Sequence, residues 1–326
     1  MTGYPENRLH RLRKTAGIRN LVRETKLSVN DLIFPLFVTH GENIKTEIKS
    51  MPGNYQISLD NLPREIGELT SLGIPGVLLF GLPGEKDETG SSASFRHGIV
   101  QNAVRVTKDT NPDILVITDL CLCGYTIHGH CGILNGENID NDKTLDIYIE
   151  IALSQASAGS DIIAPSGMMD GQVGIIRKAL DTNGYTGTAV MGYSAKYASS
   201  FYGPFRAASD SSPSFGDRNS YQIDPANWRM AMREIQEDVD EGADIIMIKP
   251  ALAYLDIINR ARATYNHPIA AYNVSGEFSL IKAGIAAGTL DAKTIILEIL
   301  TSIKRAGADI IISYHAKEAA RWLTEG

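Results

Sequence analysis

Short apolar runs alternate with amphipathic stretches along nearly the whole chain. One phrase recurs: Ala158-Gly-Ser-Asp161-Ile-Ile-Ala-Pro, Glu241-Gly-Ala-Asp244-Ile-Ile-Met-Ile-Lys249-Pro and Ala306-Gly-Ala-Asp309-Ile-Ile-Ile-Ser-Tyr314. Each follows a helical pattern. The Gly suits a left-handed helix cap, and the aliphatic run suits a strand buried on both faces. Five more apolar runs fit that role: Leu32–Val38, Gly76–Phe80, Ile114–Leu120, Thr188–Tyr193 and Ile269–Val274. Helical periodicity fills the gaps around Leu62–Leu72, Ile99–Lys108, Leu145–Ala158, Val173–Asp181, Pro225–Glu241, Tyr254–Thr264 and Thr294–Ala306. Strand–helix alternation predicts a parallel sheet. Eight repeats predict a closed (β/α)8 TIM barrel. An open doubly wound sheet is the rival, but no Gly-x-Gly-x-x-Gly follows the first strand to support a dinucleotide version.

Two stretches fall outside the repeat. Residues 1–28 are basic and polar and read as an N-terminal arm, either solvated or wrapped on a neighbouring subunit. The barrel domain is then 29–326. Within it, residues 199–222 are rich in Gly, Ser, Asp and Phe and long for a strand–helix loop, which is the mark of a functional segment. They are expected to form a lid, mobile alone and ordered over a ligand.

Composition narrows the partners. The 326 residues are 43% apolar and 21% charged, with a net charge of −7. An acidic chain lacks the basic face that nucleic acid or an anionic membrane surface requires. No apolar run reaches the roughly 20 residues that cross a bilayer. The N-terminus lacks an apolar signal core, and free clustered thiols suit a reducing compartment. A cytoplasmic location is expected.

All three cysteines fall within eleven residues, in Asp119-Leu-Cys121-Leu-Cys123-Gly-Tyr-Thr-Ile-His-Gly-His130-Cys131. An odd, clustered set is not a disulfide framework. Three soft ligands suit zinc and leave a position open for water or substrate. With His128 or His130 as a fourth ligand, the site would instead be a closed structural clip. Three buried reduced thiols packed as small hydrophobes are the bland alternative.

A barrel carries its active site at the C-terminal strand ends. Those ends read Asp119 and the cysteines, Ser166, Tyr193 to Lys196, Lys249, Tyr272 to Ser275, and Tyr314. Lys249 continues a fully apolar strand, and Lys196 ends the adjacent one. Two ammonium groups in a poorly solvated pocket depress each other's pKa, and a neutral amine can form a Schiff base with a ketone. On the long loop, Arg206 and Arg218, with Gln222 just after, suit a substrate carboxylate.

These motifs resemble the 5-aminolevulinate dehydratase (porphobilinogen synthase) family. The resemblance is carried by Asp119–Gly132, Ala164–Gly171, Met191–Lys196, Phe201–Arg206, Phe215–Arg218, Met247–Pro250 and Tyr272–Glu277, and runs from about residue 8 to the C-terminus. The family condenses two 5-aminolevulinate molecules to porphobilinogen, losing two waters, in tetrapyrrole (heme) synthesis. The resemblance implies that Lys249 binds the first substrate and Lys196 the second as Schiff bases. It implies zinc on Cys121, Cys123 and Cys131, polarising the second substrate. Arg206, Arg218 and Gln222 would take that substrate's carboxylate, and Ser275 and Tyr314 the first's. Asp119 and Ser166 would face the first substrate's amino group, with Tyr193, Phe205 and Tyr272 as neighbours. It further implies an activating magnesium at Glu234 and a homo-octamer built through the arm. Ala207 stands where relatives often have Asp, and Asn219 where many have a basic residue; both departures lie in the lid. A class I aldolase on the same barrel, with one lysine and no thiolate site, is the enzyme rival. A non-catalytic metal-binding assembly protein is the rival of another class.

Overall fold

The computed structural model describes residues 3–324. Eight parallel strands close on themselves: β1 (Leu32–Thr39), β2 (Gly76–Leu82), β3 (Leu115–Leu120), β4 (Ile162–Pro165), β5 (Ala189–Lys196), β6 (Ile245–Lys249), β7 (Ile269–Asn273) and β8 (Ile310–Ser313). Each pairs with the next, and β1 closes on β8 through Leu32↔Ile311 and Ile33↔Ile312. The expected barrel is therefore the fold. The apolar residues divide by parity. Ile33, Phe37, Leu78, Ile117, Ala164, Met191, Met247, Ala270 and Ile312 fill the interior. Their neighbours, such as Val77, Val116, Ile163, Ile246 and Ile311, pack outward against the helices.

All seven expected helices form, with ends shifted by a few residues. The largest shift is at Asn141–Ala158, which starts a turn early because the Asp140 side chain accepts the Lys143 N–H. Four helices were not expected: Ser275–Ala286, whose apolar residues run round several faces, Ala316–Thr324, amphipathic but only nine residues long, and the six-residue Ala16–Leu21 and Gly203–Ala208. A hairpin of Lys45–Glu47 with Tyr55–Ser58 extends the β1 edge, pairing Phe37↔Gln56.

The recurring Gly-x-Asp phrase has a mechanical explanation. Gly159, Gly242 and Gly307 take the left-handed backbone that ends each helix, at φ of 104°, 96° and 128°. The aspartates then clip the strand starts. Asp161 N–H donates to Val116 O (2.9 Å) and Asp161 Oδ2 accepts from Val116 N (2.7 Å). Asp244 does the same to Val190 and Asp309 to Ile269. A cation braces each: Lys108, Arg177 and Arg262. These clips sit at the N-terminal end of the barrel, where sequence pattern reads as stability rather than catalysis.

The arm before β1 holds a 3-10 turn at Leu9–Arg13 and a helix at Ala16–Leu21, neither with a buried residue. Tyr4 (79% exposed), Leu9 (72%) and Leu21 (85%) face away from the rest of the chain. No helix among the described residues is long and apolar enough to cross a membrane.

Candidate active site

Parity gathers the site. On β3 the interior set runs Ile117, Asp119; on β4 Ile162, Ala164, Ser166; on β6 Ile245, Met247, Lys249; on β8 Ile310, Ile312, Tyr314. Strand β5 breaks the rule. Met191 and Tyr193 face inward, so Ala195 should follow, yet Ala195 packs outward. The register against β6 explains it: Gly192 pairs Ile246 and Ala195 pairs Ile248, one extra residue on β5. This bulge turns Lys196 to the interior, in register with Lys249.

Both lysines are 5% exposed. The Lys249 ammonium lies over aromatic rings, 4.3 Å from the centroid of Tyr272, 5.1 Å from Tyr193, 5.2 Å from Phe205 and 5.3 Å from Tyr202. Burial, with Lys196 beside it, lowers Lys249 from the usual lysine value to about 7. Lys196 donates to the Ser166 carbonyl. Half-buried Asp119 feels both lysines. Burial raises its carboxyl, opposed by Lys249 and Lys196, and its Oδ1 has no protein partner. Tyr193 OH is likewise unpartnered, whereas Tyr272 and Tyr314 share a 3.0 Å hydroxyl bond.

The thiols form a second focus. Cys121, Cys123 and Cys131 are reduced and buried, with their sulfurs all within 4.8 Å of one another. Their neighbouring thiols, then Arg218 and Lys196, hold Cys131 well below the ordinary thiol range. A cluster poised to ionise at one sulfur fits a thiophilic cation. Neither histidine joins. His130 Nε2 donates to Phe215 O (3.1 Å) and Nδ1 accepts from Tyr221 OH (3.1 Å). His128 Nε2 donates to Glu88 O and Nδ1 accepts from His130 N. With all four ring nitrogens engaged, the closed-clip alternative falls away. The three thiols are the metal-ligand group among the described residues, and they could hold an ion.

Segment 199–222 contains local structure of its own. It holds a turn at Ser200–Tyr202 and a helix at Gly203–Ala208. It closes on the thiol loop: Ser214 N donates to His128 O (3.0 Å), and Arg218 donates to Gly129 O (2.9 Å) and Ser211 O (2.6 Å). Gly129 is needed there, since a Cβ would lie 2.4 Å from Ser212 O. Arg218 is buried, and burial alone would weaken its charge, but Cys131 and Cys123 more than offset that. Arg206 is lowered by burial and by Arg218. Both Arg Nε atoms and both polar atoms of the Gln222 side chain are buried without a protein partner. These groups are built to meet something else.

Ser275 is already engaged. Its Oγ accepts from Phe205 N (3.0 Å) and donates to Phe201 O (3.3 Å), so it anchors the lid to the helix after β7. Glu234 stands apart from the lysines and thiols. It lines a cavity of about 550 Å³ with Asp170, Asp224, Asn138 and Asn219. Burial and then Asp170 raise its carboxyl.

Reading strand ends from β3 onward missed an aromatic wall. Phe37 on β1 and Phe80 on β2 lie 5.5 Å apart and pack on Phe205 at 5.5 and 5.0 Å. Extending the same reading to the first two strands would have found both. Tyr202 had no such signal.

The comparisons agree with this geometry. The family model described as delta-aminolevulinic acid dehydratase matches residues 6–322. A delta-aminolevulinic acid dehydratase of Halalkalibacterium halodurans is 56% identical, covering 98% of this chain and 97% of its own. One from Synechococcus elongatus is 52% identical, covering 98% and 99%. The solved porphobilinogen synthase of Toxoplasma gondii, in complex with its product porphobilinogen, superposes with a TM-score of 0.96 at 41% identity, covering 98% of this chain and 92% of that one. The chain belongs to the delta-aminolevulinic acid dehydratase family.

Proposed function

We propose how the family's condensation is divided among these residues. The chain is a lyase that joins two molecules of 5-aminolevulinate into porphobilinogen with loss of two waters. The observation that carries the division of labour is the register pairing of two buried lysines, one of them at about 7.

Near neutral pH the Lys249 amine is substantially unprotonated and attacks the ketone carbon of the first substrate; water leaves and an iminium remains. The aromatic rings around Nζ favour that cation. Ser275 and Tyr314 take the first carboxylate, and Asp119 and Ser166 face its amino group beside Tyr193, Phe205 and Tyr272. Lys196 holds the second substrate in the same way. Arg206, Arg218 and Gln222 take the second carboxylate, which is what their unpartnered atoms support. Holding both ketones covalently turns a bimolecular encounter into an intramolecular one.

Zinc is the ion we assign to Cys121, Cys123 and Cys131, where it would supply Lewis-acid polarisation to one substrate only and so distinguish two identical molecules. For magnesium we assign Glu234, whose half-buried carboxylate and Asp170 neighbour form an oxygen-donor environment. The exposed apolar residues of the arm support its packing on another subunit of a homo-octamer, and a cytoplasmic setting suits the reduced thiols.

The test is borohydride trapping with 5-aminolevulinate, followed by mapping of the modified lysines. Modification of Lys249 and Lys196 is expected. Modification of one lysine alone, insensitive to a zinc chelator, would favour the aldolase reading. No modification would leave a binding protein.

A further inference from the structure

The mechanism above leaves the buried acid of the helix after β7 unused. Glu277 is 1% exposed and sits in the first turn of Ser275–Ala286. Its Oε1 accepts from Leu252 N (2.7 Å), and its Oε2 accepts from Asn273 Nδ2 and Val274 N (both 2.9 Å). Among the described residues no cation pairs with it; burial pushes it up to about 7 against these amide donors. An acid held this way is expensive to keep, and it ties together the segments after β6 and β7.

Leu252 ends the turn Lys249-Pro-Ala-Leu252, which fixes where β6 delivers Lys249. Asn273 Oδ1 accepts from Ser313 Oγ (2.9 Å), and Ser313 Oγ accepts from His315 N (3.1 Å), gripping the backbone on both sides of Tyr314. Ser275 lies two residues before Glu277 on the same helix. One buried network therefore reaches Lys249, Ser275 and Tyr314, the three residues assigned to the first substrate. It approaches Arg206 only through Ser275, whose Oγ accepts from Phe205 N, and it makes no hydrogen bond to Lys196, Arg218 or Gln222.

We propose that Glu277 is a positioning residue for the first substrate, locking the Lys249 turn to the strand ends that carry Ser275 and Tyr314. The inference rests on the functional reading above. Glutamine has the same shape, but its amide group would set a donor against one of the backbone N–H groups. Glu277→Gln thus breaks one arm of the network and leaves the packing.

The experiment follows borohydride trapping at Lys249 with 5-aminolevulinate, in wild type and Glu277→Gln, well below each protein's thermal midpoint. Trapping is expected to slow by ~10–100-fold, the scale of a misplaced reacting group, with its pH midpoint unchanged. Trapping within twofold of wild type would overturn the proposal, even with a lowered thermal midpoint, because the role would then be structural. A slowed reaction whose pH midpoint moves by a unit would also overturn it, since Glu277 would then act as a charge on Lys249. Wild type left unmodified at Lys249 would overturn the functional reading and this inference together. If Glu277→Gln does not fold, Ser313→Ala cuts the same network one link away. A drop of about threefold or more is then expected, and an unchanged rate overturns the proposal.

Discussion

The two lysines sit on adjacent strands, yet their surroundings differ in kind. Around Lys249 most groups already have partners: a ring cage, a Tyr272–Tyr314 hydroxyl pair, and a carboxylate-centred network behind them. Around the lid, Arg206, Arg218 and Gln222 hold buried polar atoms that nothing in the protein satisfies. One half is largely preorganised, with Asp119 Oδ1 and Tyr193 OH its open groups; the other holds more unpartnered atoms. On the proposed assignment, two identical molecules are received in order, the first at Lys249.

The comparison breaks most simply at Lys249. Lys249→Arg keeps the charge but loses the neutral nucleophile. Turnover is expected to fall by ~10⁴-fold or more with an unchanged circular dichroism spectrum. Activity within tenfold of wild type would remove Lys249 from the chemistry.

A chelator comes next. Three thiols without a histidine serve chemistry more than stability. Activity is expected to fall by about 10³-fold, on the scale of several kcal/mol of Lewis-acid stabilisation, and to return with zinc. Collapse of the circular dichroism signal along with activity would make the site structural.

Arg218→Ala sharpens the contrast directly. Turnover should fall by ~30-fold or more, the cost of truncating a buried charged contact, while trapping at Lys249 stays near the wild-type rate. Equal loss of both would mean that the lid serves the two substrates alike.

The pH dependence offers a smaller effect. Lys249 is lowered from the usual value to about 7, so its trapping rate should rise with pH through about 7 and then level off. A rise continuing toward pH 10 would contradict the burial argument. Stability carries the opposite face of the same shift. Between about 7 and the ordinary lysine value, the unfolded chain binds a proton that the folded chain does not, so stability rises with pH. Lys249→Met should therefore stabilise the fold by ~1–4 kcal/mol at pH 6, and by less as pH rises past 8. Denaturant melts at the two pH values check it.

The barrel was legible because strands buried on both faces leave unmistakable aliphatic runs, punctuated by Gly caps at residues 159, 242 and 307. Cys121, Cys123 and Cys131 were legible because every cysteine of the chain falls in one stretch of eleven residues. Lys249 was legible because it continues an apolar strand, and Lys196 because it ends the adjacent one. Helix 275–286 was not, since its apolar residues follow no single face. Glu277 was invisible for another reason: a carboxylate in the first turn of a helix looks like routine capping until the Leu252 N–H is seen pointing at it. The question of a fourth ligand beside the three thiols also needed coordinates, because His128 and His130 are spent on Glu88 and Phe215 carbonyls, a tyrosine hydroxyl and a backbone N–H.

The extra residue in β5 also shapes how this sequence can vary. A point substitution between Gly192 and Ala195 alters one side chain. Were the strand to alternate strictly at its present length, Lys196 would swing to the helix side of the wall and leave a barrel with half a site. Deletion of any one of those residues removes the bulge yet keeps Lys196 facing inward and in register with Lys249. Insertion of one residue reverses that parity unless the bulge widens. A single-codon scan of β5 should find the stretch more tolerant of loss than of gain.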